Sequence, residues 1–185
     1  MQVSTANTSQ PWQLQMFRRS LKKQLKLDAL LKFVGDAGDK DFLLITCGDN
    51  NGALNWHFRA HGGQWVWGDV AGENLAEMGG LLGEPVHRVE QDHFPFADAQ
   101  FDCVVSIDVL EHLADDQPFL NELGRVLRPD GQAIVTVPNG DPKLLANRIK
   151  WRLGMTPDVY GHARPGYTVP ELRESMVQAG FVPVG

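Results

Sequence analysis

The chain has 185 residues and 20.5 kDa, room for one ordinary domain, and its 43% hydrophobic and 22% charged residues exclude a disordered chain, a collagen-like repeat and a disulfide scaffold. No stretch approaches the roughly 20 apolar residues that cross a bilayer, and the start Met1-Gln2-Val3-Ser4-Thr5 lacks the basic and apolar regions of a signal peptide, so a cytoplasmic protein is expected. The net charge of -6 hides six basic residues against Asp28 between Pro11 and Val34, leaving 11 basic and 22 acidic residues elsewhere; that acidic remainder excludes a nucleic-acid-tracking body.

Residues 1–10 are polar and read as a flexible start. Leu14, Phe17, Leu21, Leu25, Leu27, Leu30, Leu31 and Val34 recur at helical spacing, which predicts a basic amphipathic helical segment over 11–35 ending at Gly35. Its charge either solvates one helix face or makes peripheral contact with an anionic surface or partner. The unbroken apolar run Phe42-Leu43-Leu44-Ile45 suits a parallel strand covered on both faces. A helix over about 53–60, a strand at Trp65-Val66-Trp67, a short helix at Leu75-Ala76-Glu77-Met78 and a third strand at Val86-His87-Arg88-Val89 follow. Trp65 and Trp67 share one strand face and read as core, with Trp56, or as partner-facing surface. Cys103-Val104-Val105-Ser106-Ile107 is a fourth strand, and Pro118 opens an amphipathic helix through Val126 and Leu127. Arg128-Pro129-Asp130-Gly131 predicts a turn, and Ala133-Ile134-Val135-Thr136-Val137 a fifth strand. Asp141 reads as the cap of a helix that starts at Pro142 and runs to Gly154; Thr168-Val169-Pro170-Glu171 is a capping box opening another that closes at Gly180. Phe181-Val182-Pro183-Val184 looks like the start of a further strand.

Strands alternating with helices of crossover length predict a doubly wound, mostly parallel α/β sheet flanked by helices. Ligands then bind beyond the carboxyl ends of the strands. There lie the small polar loop Thr46-Cys47-Gly48-Asp49-Asn50-Asn51-Gly52, Asp69 after the second strand, Glu90, Gln91 and Asp92 after the third, and the run from Ser106 to His112 after the fourth. An acid after the second strand can accept both hydroxyls of a ribose, and one after the third an adenine amino group, so their order points to an adenosine-containing cofactor; singly, each is equally a helix cap. Cys47 and Cys103, each in an apolar run, read as two buried thiols. His57 and His61 have a zinc-compatible spacing but no third ligand at matching spacing, so no metal is expected.

The stretch from Phe94-Pro95-Phe96 through Phe101-Asp102-Cys103-Val104-Val105-Ser106-Ile107-Asp108-Val109-Leu110-Glu111-His112, then Arg125-Val126-Leu127-Arg128-Pro129-Asp130-Gly131 and Val137-Pro138-Asn139, resembles the class I S-adenosylmethionine-dependent methyltransferases, in particular the type-11, ubiquinone-biosynthesis-like branch. The resemblance covers about residues 42–181. It implies a Rossmann-like methyltransferase domain over 36–185, with a substrate-covering insertion at about 141–168, moving a methyl group to a small-molecule or glycan/lipid-linked acceptor. By the same resemblance Thr46, Cys47, Gly48 and Asp49 line the methionine portion of the cofactor, Asp69 holds the ribose and Glu90 and Gln91 face adenine. Ser106 and Ile107 pass their backbone close to the sulfonium, and Leu110 packs on the purine side. His112 and His162 are the candidate bases; Tyr160, Arg164 and Tyr167 are candidate acceptor contacts, or stitch their loop to the sheet. The antiparallel strand that members add beside the fifth is not evident, so the domain reads as C-terminally short. An edge left bare at 133–137 predicts a homodimer or a partner protein covering it. The family pattern at the first strand, an acid, one apolar residue and Gly-x-Gly-x-Gly, is replaced by Leu44-Ile45-Thr46-Cys47-Gly48-Asp49-Asn50-Asn51-Gly52. That departure gives the alternative of a catalytically inactive binding or scaffold subunit. A nicotinamide oxidoreductase is disfavoured, since no Gly-x-Gly-x-x-Gly follows the first strand.

Overall fold

The computed structural model describes residues 10–48 and 51–184. Five strands, β1 (Asp41–Thr46), β2 (Gln64–Asp69), β3 (Val86–Arg88), β4 (Phe101–Ile107) and β5 (Leu127–Thr136), form one sheet in the order β3-β2-β1-β4-β5. Every pairing is parallel. The continuous apolar runs make this possible: Phe42, Leu43, Leu44 and Ile45 are all fully buried because both sheet faces are covered. Phe42, Leu44, Trp65, Trp67, Cys103, Val105 and Ile107 face one layer, and Leu43, Ile45 and Val104 face the other.

The first layer contains α1 (Trp12–Arg19), α2 (Leu21–Val34), α3 (Ala53–Arg59) and α4 (Leu75–Leu82); the second contains α5 (Gln117–Val126) and α7 (Val169–Gln178). The basic segment is two helices, broken where the Ser20 hydroxyl accepts from the Lys23 amide at 3.3 Å and caps α2. The break resets the helical phase. Leu14, Phe17, Leu27, Leu30 and Val34 face the core, whereas Leu21 and Leu25, read as part of the same stripe, are 68% and 58% exposed. Trp65 and Trp67 stack within that core with ring centroids 5.5 Å apart. Neither cysteine is in a disulfide; Cys103 is buried, which pushes its thiol up to about 12, while Cys47 is half-buried.

Four other expectations change. No helix lies between β3 and β4: residues 89–100 cover the sheet directly, with Phe94 fully buried. Arg125 pins that strap by donating to the carbonyls of Phe94 and Phe96 and to Asp98 and Glu122. The turn 128–131 is an excursion within β5: Leu127 pairs with Phe101 and Gln132 with Cys103, so the four residues between loop out, and Asp130 takes a φ of 65°. The helix expected from Pro142 begins later. Asp141 caps only a turn, accepting from the Lys143 amide at 2.8 Å, and α6 spans Leu145–Arg152 with no buried residue. The capping box at Thr168 and Glu171 is present and opens α7. Residues 181–184 form no strand, although Phe181 packs on the second layer. β5 is therefore an edge of the sheet among the described residues, and no helix among them is long and apolar enough to cross a membrane.

At the amino ends of the strands, Arg128 pairs with Asp41 and Asp102 at 2.7 and 2.5 Å. This ties the excursion to β1 and β4 at the rim opposite the carboxyl ends.

Candidate functional site

The strand order switches sides between β1 and β4, so their carboxyl ends border the crevice where an α/β sheet takes a ligand. Thr46 ends β1, and Gly48 follows with a φ of 70°, a left-handed turn; a Cβ built there would lie 3.3 Å from the Ala71 Cβ. Asp69, at the end of β2, is 1% exposed. One oxygen accepts from the Thr46 hydroxyl and the Gly48 amide, both at 2.7 Å, and the other from the Gly72 amide at 2.9 Å. Its carboxylate thus binds the two loops together, with its lone pairs largely engaged by the protein. Asp49 lies outside the described residues.

Along the neighbouring strand, Ser106 pairs with Ile45 of β1, and its fully buried hydroxyl has no hydrogen-bond partner. Ile107 and Leu110 are buried core residues. Asp108, just past β4, takes a φ of 50°, accepts from the Thr136 hydroxyl at 3.3 Å and forms an ion pair with Lys26 of α2. A lysine from the basic segment therefore reaches the rim of the crevice, a role invisible in a charge count. Glu90 pairs with Arg88 at 2.7 Å on the surface, and the Gln91 amide donates to the Asp115 carbonyl at 2.6 Å. The structure does not join those two side chains to the Asp69 turn by any hydrogen bond among the described residues.

The run after β4 continues as a single 3-10 turn, Leu110–His112. Glu111 is 1% exposed, and its carbonyl accepts from the amides of Ala163 at 2.8 Å and Arg164 at 3.3 Å. That strap brings His162 onto His112, ring centroids 4.7 Å apart and nearly perpendicular. His112 Nδ1 faces the Gly161 carbonyl at 3.2 Å, while its Nε2 is buried with no hydrogen-bond partner. The two histidines proposed from sequence are thus brought together, with Glu111 beside them.

Arg164 and Tyr167 are placed as loop anchors. The Tyr167 hydroxyl, on a residue 4% exposed, donates to Asp116 at 2.5 Å; the Arg164 guanidinium lies over the Tyr167 ring, donates to the Leu113 and Ala114 carbonyls, and stands 3.6 Å from Asp116. These contacts tie the loop before α7 to the segment after β4. Nothing is described of the Tyr160 side chain. Asp116 was not singled out by sequence: besides the adjacent Gln117, its partners Tyr167 and Ser175, the latter at 3.1 Å, lie 51 and 59 residues away.

A family model described as a methyltransferase domain matches residues 43–135. A protein of Mycobacterium tuberculosis named a probable S-adenosylmethionine-dependent methyltransferase is 38% identical over 91 residues, which is 49% of this chain and only 30% of that protein. The ubiquinone biosynthesis O-methyltransferase of Parvibaculum lavamentivorans is 28% identical over 181 residues, 92% of this chain and 69% of its own length. The solved structure of an S-adenosylmethionine-dependent methyltransferase from Aquifex aeolicus superposes with a TM-score of 0.66 at 20% identity, covering 96% of this chain and 90% of that one. This last likeness is one of fold.

Proposed function

The chain belongs to the methyltransferase-domain family matched over residues 43–135, and from that premise we propose that it transfers a methyl group from S-adenosylmethionine to a small-molecule or glycan/lipid-linked acceptor. The single observation that carries the reading is the left-handed Gly48 turn, clamped by Asp69 at the β1–β4 crevice. A turn without a side chain lets backbone amides approach a ligand, and the orphaned Ser106 hydroxyl on the adjacent strand offers a hydrogen bond that the protein itself leaves unused. At these two points the residues fit the cofactor. Asp69 supports it differently from the sequence reading: engaged by Thr46, Gly48 and Gly72, it holds the turn in shape.

S-adenosylmethionine supplies, when bound, an electrophilic methyl on a sulfonium. The contribution of the chain is alignment, since an in-line displacement gains most from positioning, roughly 7–11 kcal/mol at best. Gly48 and Ser106 hold the cofactor side; the wall formed by Glu111, His112 and His162 faces the acceptor side. The switch of strand order between β1 and β4 brings both walls to one rim. The position of β5 as an edge strand among the described residues supports pairing with a second copy or a partner, and sedimentation velocity showing only monomer would remove that part of the proposal.

Calorimetric titration of the full chain with S-adenosylmethionine and with its demethylated product tests the central claim. Saturable binding is expected, weakened at least about tenfold in Gly48→Val, whose side chain would meet Ala71 and strain the positive φ. Absence of binding by the folded protein overturns the reading.

A further inference from the structure

We propose that Lys26 is a positioning residue for the cofactor crevice: paired with Asp108, it holds the turn that leaves β4 and so links the docking of α1 and α2 to cofactor affinity. The identity of that cofactor rests on the methyl-transfer reading. Ile45 of β1 pairs with Ser106 of β4, so two residues further along lie Cys47, which opens the Gly48 turn, and Asp108. Asp108 takes a φ of 50°, a conformation that a residue with a side chain keeps where its surroundings over-determine it. Three bonds do so. Its amide donates to the Thr136 carbonyl at 2.9 Å, one carboxylate oxygen accepts from the Thr136 hydroxyl at 3.3 Å, and the other accepts from the Lys26 ammonium. The first two come from the neighbouring strand; the third alone crosses to another layer.

The residues that flank the turn make its geometry matter. Ser106 and Ile107 before it and Val109 and Leu110 after it are all buried, and Ser106 carries the unused hydroxyl. With both flanks packed, a change of backbone angle at Asp108 is not absorbed locally and moves the crevice wall against the Gly48 turn. The side chains of Lys26 and Asp108 are 25% and 17% exposed, so the pair is partly withdrawn from water and exceeds a surface pair in strength. Removing the ammonium leaves a carboxylate short of a partner. Leu27 and Leu30 bury α2 beside it, while Trp12 and Gln13 of α1 donate to Glu77 of α4 at 3.0 Å and the Phe17 ring lies 4.4 Å from that of His57 on α3. Since α3 and α4 follow the Gly48 and Asp69 loops, the helix pair joins the two sides of the crevice. By linkage, what a ligand gains from a fixed turn, the docking of the helices gains from the ligand.

Charge gives the proposal a sign. S-adenosylmethionine carries one net positive charge, a sulfonium and an ammonium against one carboxylate, so losing a lysine charge raises its affinity if the field alone acts. A positioning role predicts the reverse, and for the uncharged demethylated product as well.

The test is calorimetric titration of the full chain and its variants with S-adenosylmethionine and with that product, beside hydrogen exchange of the 107–112 amides without ligand. Lys26→Met is expected to lower both affinities at least about fivefold, the low end of coupling between linked sites, and to speed exchange at those amides. Lys26→Arg, which keeps the charged donor, should stay within about twofold of the parent, as should Lys22→Met, an exposed cation of the same helix. Asp108→Asn keeps a residue suited to the left-handed region without its charge; it should lower the affinities likewise, and combined with Lys26→Met should cost no more than either alone. Near-ultraviolet circular dichroism checks that each variant is folded. Equal or higher affinity in folded Lys26→Met, or unchanged exchange at the 107–112 amides, overturns the proposal and leaves the methyl-transfer reading standing. Absence of binding by the parent overturns that reading, and this coupling with it.

Discussion

Asp116 shows how one side chain can organise a loop. Burial works to raise its pKa, but hydrogen bonds from Tyr167, Gln117 and Ser175, with the Arg164 charge, outweigh that and hold it below the ordinary carboxylate value. The same pairing, added to burial, drives the Tyr167 phenol upward, so it remains a donor. Tyr167→Phe removes that donor from a buried carboxylate and should cost about 1–3 kcal/mol in urea unfolding. An unchanged midpoint would return Tyr167 to the acceptor-contact role. The small and polar residues around Gly48 made the turn after β1 legible in sequence, because a left-handed position leaves a local chemical trace. The engagement of Asp69 by Gly72 and Thr46 left none.

At the scale of elements, local pattern carried most of the sheet and failed where one residue resets a phase. Ser20 is unremarkable in a run of leucines and lysines, yet its hydroxyl starts α2 anew and rotates Leu21 and Leu25 to solvent. Ser20→Ala should destabilise the protein by about 0.5–2 kcal/mol, read by thermal or urea unfolding; no loss would mean that packing of Leu27 and Leu30 alone sets where α2 begins. α6 failed for a different reason. Its apolar residues have helical spacing, but Leu145 and Ile149 are 68% and 51% exposed, so the helix is not placed by a buried stripe. The strap between β3 and β4 replaces a helix because Arg125 satisfies its carbonyls directly, an interaction between residues about thirty positions apart.

The molecule as a whole is fastened by carboxylates that join distant segments. Asp102 is held low by the Asp41 amide and by Arg128, and Glu122 by its hydrogen bonds to Arg125, with the Phe94 amide adding to it; Asp116 joins the segment after β4 to α7. Each folded pKa is depressed. Their stabilisation is therefore complete above the unfolded carboxylate values of about 4 and is lost as pH falls through the lower folded values. Urea midpoints should fall steeply on the acid side, and Asp116→Asn should flatten that fall; a variant with the parent's acid slope would show that this carboxylate does not contribute to it. Lys26 and Asp108 add a contact of the same kind at the crevice rim, joining the first layer to the end of β4.

The amino-acid sequence by itself determined the alternation of strands and helices, the parallel sheet, the glycine turn after β1 and the family to which these point, because apolar periodicity, caps and turn residues act over a few neighbours. Only the tertiary structure brought Arg164 and Tyr167 onto Asp116, the Gly48 and Gly72 amides onto Asp69, and Glu111, His112 and His162 together. Those outcomes are set by which polar groups meet after the chain has closed on itself. A buried carboxylate or imidazole takes whatever donor, acceptor or ion the fold brings to it, and chain spacing does not encode that partner.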